Sequence, residues 1–347
     1  MTDITGLPVA PAWRVTGHES TARALRRSLE SPAHSYLLAG PARIGKRIMA
    51  LEFAKALNCE AGPQDRPCQT CRTCRLISAG IHPDVTMLEN EDRERTLIDE
   101  VRVVRLALSL RPAEGRWRVV IIRAQPLTDQ AHEALLKTLE EPASQVVLIL
   151  TAEAVDLLPE TIVSRCRILA MGLLPAAEIE AHLAGLDVDQ ARARRLASLS
   201  YGAIGWAIAA SQDDEMATRR EKLRDDLAGF STAGLLDRLA SAERLAGGGG
   251  RLDRTRTTVM EELEMMLIWW RDVLLSRTGQ AELIVNSGSR RQIESMAQGM
   301  TTPRIVQVLQ EIALAGTRIN QNVDPRLTLE ALATGAMYMG TTSTSDA

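Results

Sequence analysis

The sequence predicts an α/β protein whose first half is a doubly wound parallel sheet and whose second half is helical. Three observations carry this. Short apolar runs alternate with helix-period segments as far as residue 167, and a glycine loop joins one run to the helix after it. Beyond Leu169 the strand signal fades.

The predicted strands are Ser35–Ala39, Asp84–Leu88, Arg118–Ile122 and Val146–Thr151. Val119-Val120-Ile121-Ile122 is apolar throughout, the pattern of a parallel strand covered on both faces. Helical spacing is found in His18–Ser31, Lys46–Asn58, Ile98–Leu108 and Asp129–Glu140. Further on, Pro175-Ala176-Ala177-Glu178 opens a helix, Ala191–Ser198 forms another, and Tyr201-Gly202-Ala203-Ile204-Gly205 breaks the pattern. Later helices are expected at Met216–Phe230, Thr232–Leu245, Arg254–Arg277, Arg290–Gln298, Pro303–Asn320 and Pro325–Met339, with Gly247–Gly250 as a loop. The expected domains are therefore 1–167, a small helical domain at 168–213, an all-helical domain at 214–340 and a disordered tail at 341–347.

Hydrophobic residues are 45% and charged residues 24%, ordinary for a chain that buries real cores. No apolar run is long enough to span a membrane, and the N-terminus lacks the pattern of a signal peptide, so a cytoplasmic location is expected. A net charge of -3 argues against a broad electrostatic grip on nucleic acid, although a local basic patch is compatible with it.

Gly40-Pro41-Ala42-Arg43-Ile44-Gly45-Lys46 is a phosphate loop between a strand and a helix. Gly40 and Gly45 let backbone N–H groups turn inward, and Lys46 can reach the outer phosphates of a nucleotide such as ATP. The next residue should be Ser or Thr, to join a magnesium shell. Here it is Arg47, which has only donors. A hydrolysing site also needs an acid after a second core strand, yet no Asp or Glu lies between Val119 and Thr128. Asp129 reads as a helix cap. Loss of hydrolysis is expected; loss of nucleotide binding does not follow.

Cys59, Cys68, Cys71 and Cys74 form C-x8-C-x2-C-x2-C, inserted after the helix that follows the loop. Two residues between thiolates let both bind one tetrahedral ion, so structural zinc is the leading expectation, with iron–sulfur ligation or free thiols as alternatives. His82 is a weak additional ligand candidate, and Cys166 reads as a small packing residue. Trp269-Trp270 reads as helix core, with one ring expected to face a neighbouring molecule because adjacent helical residues point about 100° apart.

Leu135-Leu136-Lys137-Thr138-Leu139-Glu140-Glu141-Pro142, Ser164-Arg165-Cys166, the four-cysteine insertion and Ile81-His82-Pro83-Asp84 together resemble the bacterial clamp-loader branch of the AAA+ family. That branch includes the tau/gamma motor and delta-prime subunits of DNA polymerase III, and the stretch from Asn320 to Glu330 is similar to the last collar helix of the latter. The resemblance covers nearly the whole chain. It implies an AAA+ RecA-like domain, a helical lid and a helical collar that oligomerises. Arg165 becomes a finger acting on ATP held by a neighbouring subunit, and Thr151 matches the sensor position, where packing is the safer reading. The implied function is that of a non-hydrolysing delta-prime subunit in a hetero-oligomer with tau/gamma and delta, acting through the assembly on the sliding clamp and primer-template DNA. An active tau/gamma-type ATPase using Glu140 or Glu141 is the alternative. A zinc-containing DNA-binding adaptor using Arg66, Arg72 and Arg75 is a third reading.

Overall fold

The computed structural model describes residues 13–88, 111–124, 136, 139–140, 144–232, 256–321 and 323–334. These divide into two compact units, Met1–Leu174 with Ala203–Trp206, and Pro175–Gly202 with Ala207–Ala347. The expected helices at 98–108 and 232–245, most of the one at 129–140, and the expected tail at 341–347 lie outside the described residues.

The first unit contains α1 (Glu19–Arg27), β1 (Ser35–Ala39), α2 (Lys46–Asn58), α3 (Arg72–Ser78), β2 (Val85–Leu88), β3 (Arg118–Arg123), β4 (Val146–Ala152), α4 (Glu160–Val163) and β5 (Arg167–Ala170). Its strands form one sheet in the order β2-β3-β4-β1-β5, with every neighbouring pair parallel. Side chains alternate across a strand, so Tyr36 and Leu38 join one core with Phe53, Val119 and Ile149, while Leu37 and Ala39 join the other with Val120, Leu150 and Ile162. This two-sided burial is why β3 and β4 read as unbroken apolar runs.

The sheet continues through β5, past the expected end at residue 167. Arg167, Ile168 and Ala170 are exposed at this edge, even though Ile168-Leu169-Ala170-Met171 is apolar in sequence. The α3 helix is also additional to the sequence reading. It begins inside the cysteine cluster, with Cys71 as its N-cap.

Asp84 fastens β2 to the chain leading into β3. Its fully buried carboxylate accepts from the N–H groups of Ala113 at 2.7 Å, Glu114 at 2.8 Å and Gly115 at 2.7 Å, and from the Arg118 guanidinium at 3.1 Å. Burial alone would raise its pKa, but the three N–H donors and Arg118 outweigh burial and hold it below the usual range.

The second unit is helical: α5 (Ala176–Ala184), α6 (Gln190–Leu199), most of α7 (Ile204–Gln212), α8 (Asp214–Thr232), α9 (Arg256–Arg277), α10 (Arg290–Gly299), α11 (Thr302–Asn320) and α12 (Pro325–Thr334). Helix α9 packs against both α10 and α11. The expectation that one tryptophan of the pair faces another molecule is overturned, since Trp269 and Trp270 are each only 3% exposed. Val259, Leu263, Met266, Ile268 and Val273 are buried as well, so α9 is covered on several sides and residues 100° apart both meet their own unit. Among the described residues, no helix is long and apolar enough to cross a membrane.

Replacing Asp84 by Asn leaves Arg118 buried without its counter-charge, and urea unfolding at pH 7 should show a loss of about 3 kcal/mol. Because the folded pKa is depressed, this contribution is complete above the unfolded carboxyl pKa of about 3.9 and lost as pH falls through the folded value. The difference between wild type and Asp84→Asn should therefore be constant above about pH 5 and shrink below about pH 4.

Candidate functional site

The phosphate loop lies at the C-terminal end of β1, between the ends of β4 and β5, where open parallel sheets bind ligands. Gly40 is required there on two grounds. Its φ is 156°, and a Cβ would sit 2.0 Å from the Met171 carbonyl oxygen. Gly45 is the N-cap of α2 with φ 102°, which aims the first turn of the helix into the loop. Lys46 begins that helix, and its ammonium donates to the carbonyls of Gly40 and Pro41, the latter at 2.6 Å. Two other loop carbonyls are held from outside the loop: Gly205 N–H donates to Arg43 O at 2.7 Å, and His18 Nε2 is 3.0 Å from Ile44 O.

The backbone therefore has the form of a phosphate cradle, with Gly40, Gly45 and Lys46 side by side in it. The side chains around it do not suit magnesium. The Arg47 Nε donates to Met87 Sδ at 3.2 Å, and β3 ends in Arg123 and Ala124. The Arg123 guanidinium pairs with Glu153 at 3.3 Å. Thr151 is buried near the end of β4, where its carbonyl accepts from Ala124 N–H at 2.9 Å.

The cysteine cluster lies at the opposite end of α2, about 20 Å along a 13-residue helix. Cys59 is the C-cap of α2, Cys71 is the N-cap of α3, and Cys74 lies in the first turn of α3. All four sulfurs are within 4.8 Å of one another. A tetrahedral ion with Zn–S bonds near 2.3 Å needs sulfurs about 3.8 Å apart, so the donor set fits zinc. Backbone N–H groups point at the sulfurs: Cys68 to Cys59 at 3.3 Å, Cys71 to Cys68 at 3.3 Å, and Cys74 to Cys71 at 3.4 Å. Chiefly through the Thr70 N–H, the Cys68 thiol pKa is lowered to about 6, whereas burial pushes those of Cys59 and Cys74 up.

His82 is not part of this group. It is buried and accepts at Nδ1 from Asp84 N–H at 3.1 Å, and burial lowers its pKa. Of the module's arginines, Arg72 is already paired with Glu114 at 2.7 Å, and Arg66 donates to Ala61 O at 2.8 Å.

Arg165 follows α4. Its guanidinium donates to Thr161 O at 2.9 Å and to Glu140 at 2.8 Å, so the two segments carrying the family resemblance meet here. This pairing is not legible from local sequence, because 25 residues separate the partners. Cys166 packs against the second sheet core, as expected of a small apolar residue, and burial raises its thiol pKa.

Residues 17–174 match the family described as "DNA polymerase III, delta subunit". This segment is similar to subunits of DNA polymerase III. The chain is 27% identical over 307 residues to the delta' subunit of Bacillus subtilis, covering 86% of this chain and 89% of that protein. It is 40% identical over 136 residues to the delta' subunit of Pseudomonas aeruginosa, covering 39% and 42% respectively. It is 32% identical over 198 residues to the gamma subunit of Buchnera aphidicola, covering 55% and 54%. The chain thus spans only about half the length of the last two relatives. The fold is α/β, a five-stranded parallel sheet with flanking helices, followed by a helical C-terminal half.

Each cysteine is needed to close a four-thiolate shell. Purified chain should carry a single zinc ion by elemental analysis, and Cys74→Ser should lose it. Chelation should lower the unfolding temperature of wild type and leave that of Cys74→Ser unmoved.

Proposed function

We propose that this chain is a non-hydrolysing clamp-loader subunit of the delta-prime type, which completes a ring of AAA+ subunits and supplies Arg165 to the ATP site of the adjacent motor. The observation that carries this reading is the setting of Arg165. A guanidinium of permanent charge stands at the surface, its side chain 35% exposed, held by one carbonyl and one exposed carboxylate. Exposed ion pairs contribute about 0–1 kcal/mol, so exchanging Glu140 for the phosphates of a neighbour costs little. A planar fork of donors suits the charge that develops on a transferring phosphoryl group.

The chain's own loop supports the complementary half of the reading. Arg47 and Arg123 stand where a working site needs a hydroxyl and an acid. The similarity to relatives named delta' supports assigning the chain to that type. In this role residues 168–213 are a lid and 214–340 a collar that joins the ring. The partners are tau/gamma and delta, and the sliding clamp and primer-template DNA are engaged through the assembly. Zinc on Cys59, Cys68, Cys71 and Cys74 is structural, because four thiolates leave no position for a substrate. The setting is the cytoplasm.

The test is DNA- and clamp-stimulated ATP turnover by a loader reconstituted with cognate tau/gamma and delta. Arg165→Ala should reduce turnover at the adjacent site on the order of 10³-fold, with assembly unchanged by size-exclusion chromatography. Unchanged turnover in an intact complex would remove the finger. ATP turnover by the isolated chain that disappears with Lys46→Ala would favour the tau/gamma-type alternative instead.

A further inference from the structure

The cysteine module and the phosphate-loop helix are joined by a buried polar cluster that neither end requires for its own chemistry. Glu52 and Lys55, on α2, are 1% and 6% exposed. Lys55 donates to Glu52 at 2.9 Å and to the side-chain oxygen of Gln69 at 3.2 Å. The Gln69 side-chain nitrogen donates to the other Glu52 oxygen, which also accepts from Arg14 N–H at 3.2 Å. Gln69 therefore satisfies both members of the buried pair through its one amide.

Gln69 is itself shaped by the cysteine cluster. It lies between Cys68 and Cys71 with φ 65°, a backbone conformation that a side chain disfavours, so its main chain is held within the turn that carries two of the four sulfurs. One residue thus reads the cluster with its backbone and the P-loop helix with its side chain. A buried ion pair stripped of a hydrogen-bonding partner loses far more than an exposed one, so α2 is sensitive to where Gln69 stands.

We infer that Gln69 is a positioning residue through which metal on the four cysteines sets the order of α2, and with it the phosphate loop at the helix's other end. When the cluster holds its ion, the 68–71 turn is fixed and the amide caps the Glu52–Lys55 pair. When the ion leaves, the turn loses its constraint and the pair loses its cap. This rests on the reading of the cysteines as a metal site, and not on Arg165 or on nucleotide binding.

Amide hydrogen exchange of the full chain, with bound zinc measured on the same samples, tests it. In wild type, removing zinc should speed exchange along 46–58 on the order of tenfold or more, not only within 59–80. Gln69→Ala should retain its zinc yet already exchange faster along 46–58, and stripping the metal should then add little there. Wild-type protection of 46–58 that survives zinc removal overturns the inference, as does a zinc-loaded Gln69→Ala that exchanges like wild type. Should Gln69→Ala not fold, the wild-type comparison decides alone. A purified chain without any metal would remove the metal reading and this inference together, leaving the Arg165 proposal intact.

Discussion

The packing of α2 against the sheet is the constraint from which the first unit is built. Phe53 is fully buried between Trp13 and Tyr36, with ring centroids at 6.3 Å and 5.0 Å. Met49, Ala50, Ala54, Ala56 and Leu57 are buried around it. Burying one large side chain is worth about 1.5–3 kcal/mol, so this face outweighs any single polar contact in the unit. It also fixes where both ends of the helix lie. One end delivers Gly45 and Lys46 to the phosphate loop, and the other delivers Cys59 to the cysteine cluster and Asn58 to the main chain of Trp117.

Charge is handled differently in each part of this frame. Buried acids are satisfied by several donors at once, as Asp84 is by three N–H groups and an arginine, and Asp272 by Val285 N–H and by the backbone and side chain of Asn286. Such groups define the structure, because the low local dielectric makes a missing partner costly. Arg165 is held only by an exposed pair and a carbonyl. The proposed role of Arg165 asks for such weak pairing, whereas groups that define the structure are served by multiple pairing.

Much of this was legible in the sequence, for identifiable reasons. Parallel strands buried on both faces leave continuous apolar runs, and β1 to β4 appeared within a residue of their observed limits. The phosphate loop was visible because its geometry demands glycine at two places. The cysteines were visible because the spacing of ligands is local. By contrast, β5 is a four-residue edge strand that follows α4 directly, and α3 is a short helix nested among the cysteines. The tryptophan pair was misread because periodicity reports which side of a helix is apolar, not how many neighbours surround it.

By itself, the sequence determined the α/β fold class, the residues of the phosphate loop and a four-cysteine group that could hold a metal, since all three depend on residue type at short spacing. Only the tertiary structure decided which distant groups meet: Glu140 with Arg165, Gln69 with Glu52 and Lys55, Gly205 with Arg43, and Asp84 with the turn before β3. These contacts join residues 14 to 162 positions apart, and no local propensity encodes them. They exist because a packed sheet and helix bring the groups together, and because a buried polar atom must find a partner wherever the fold supplies one.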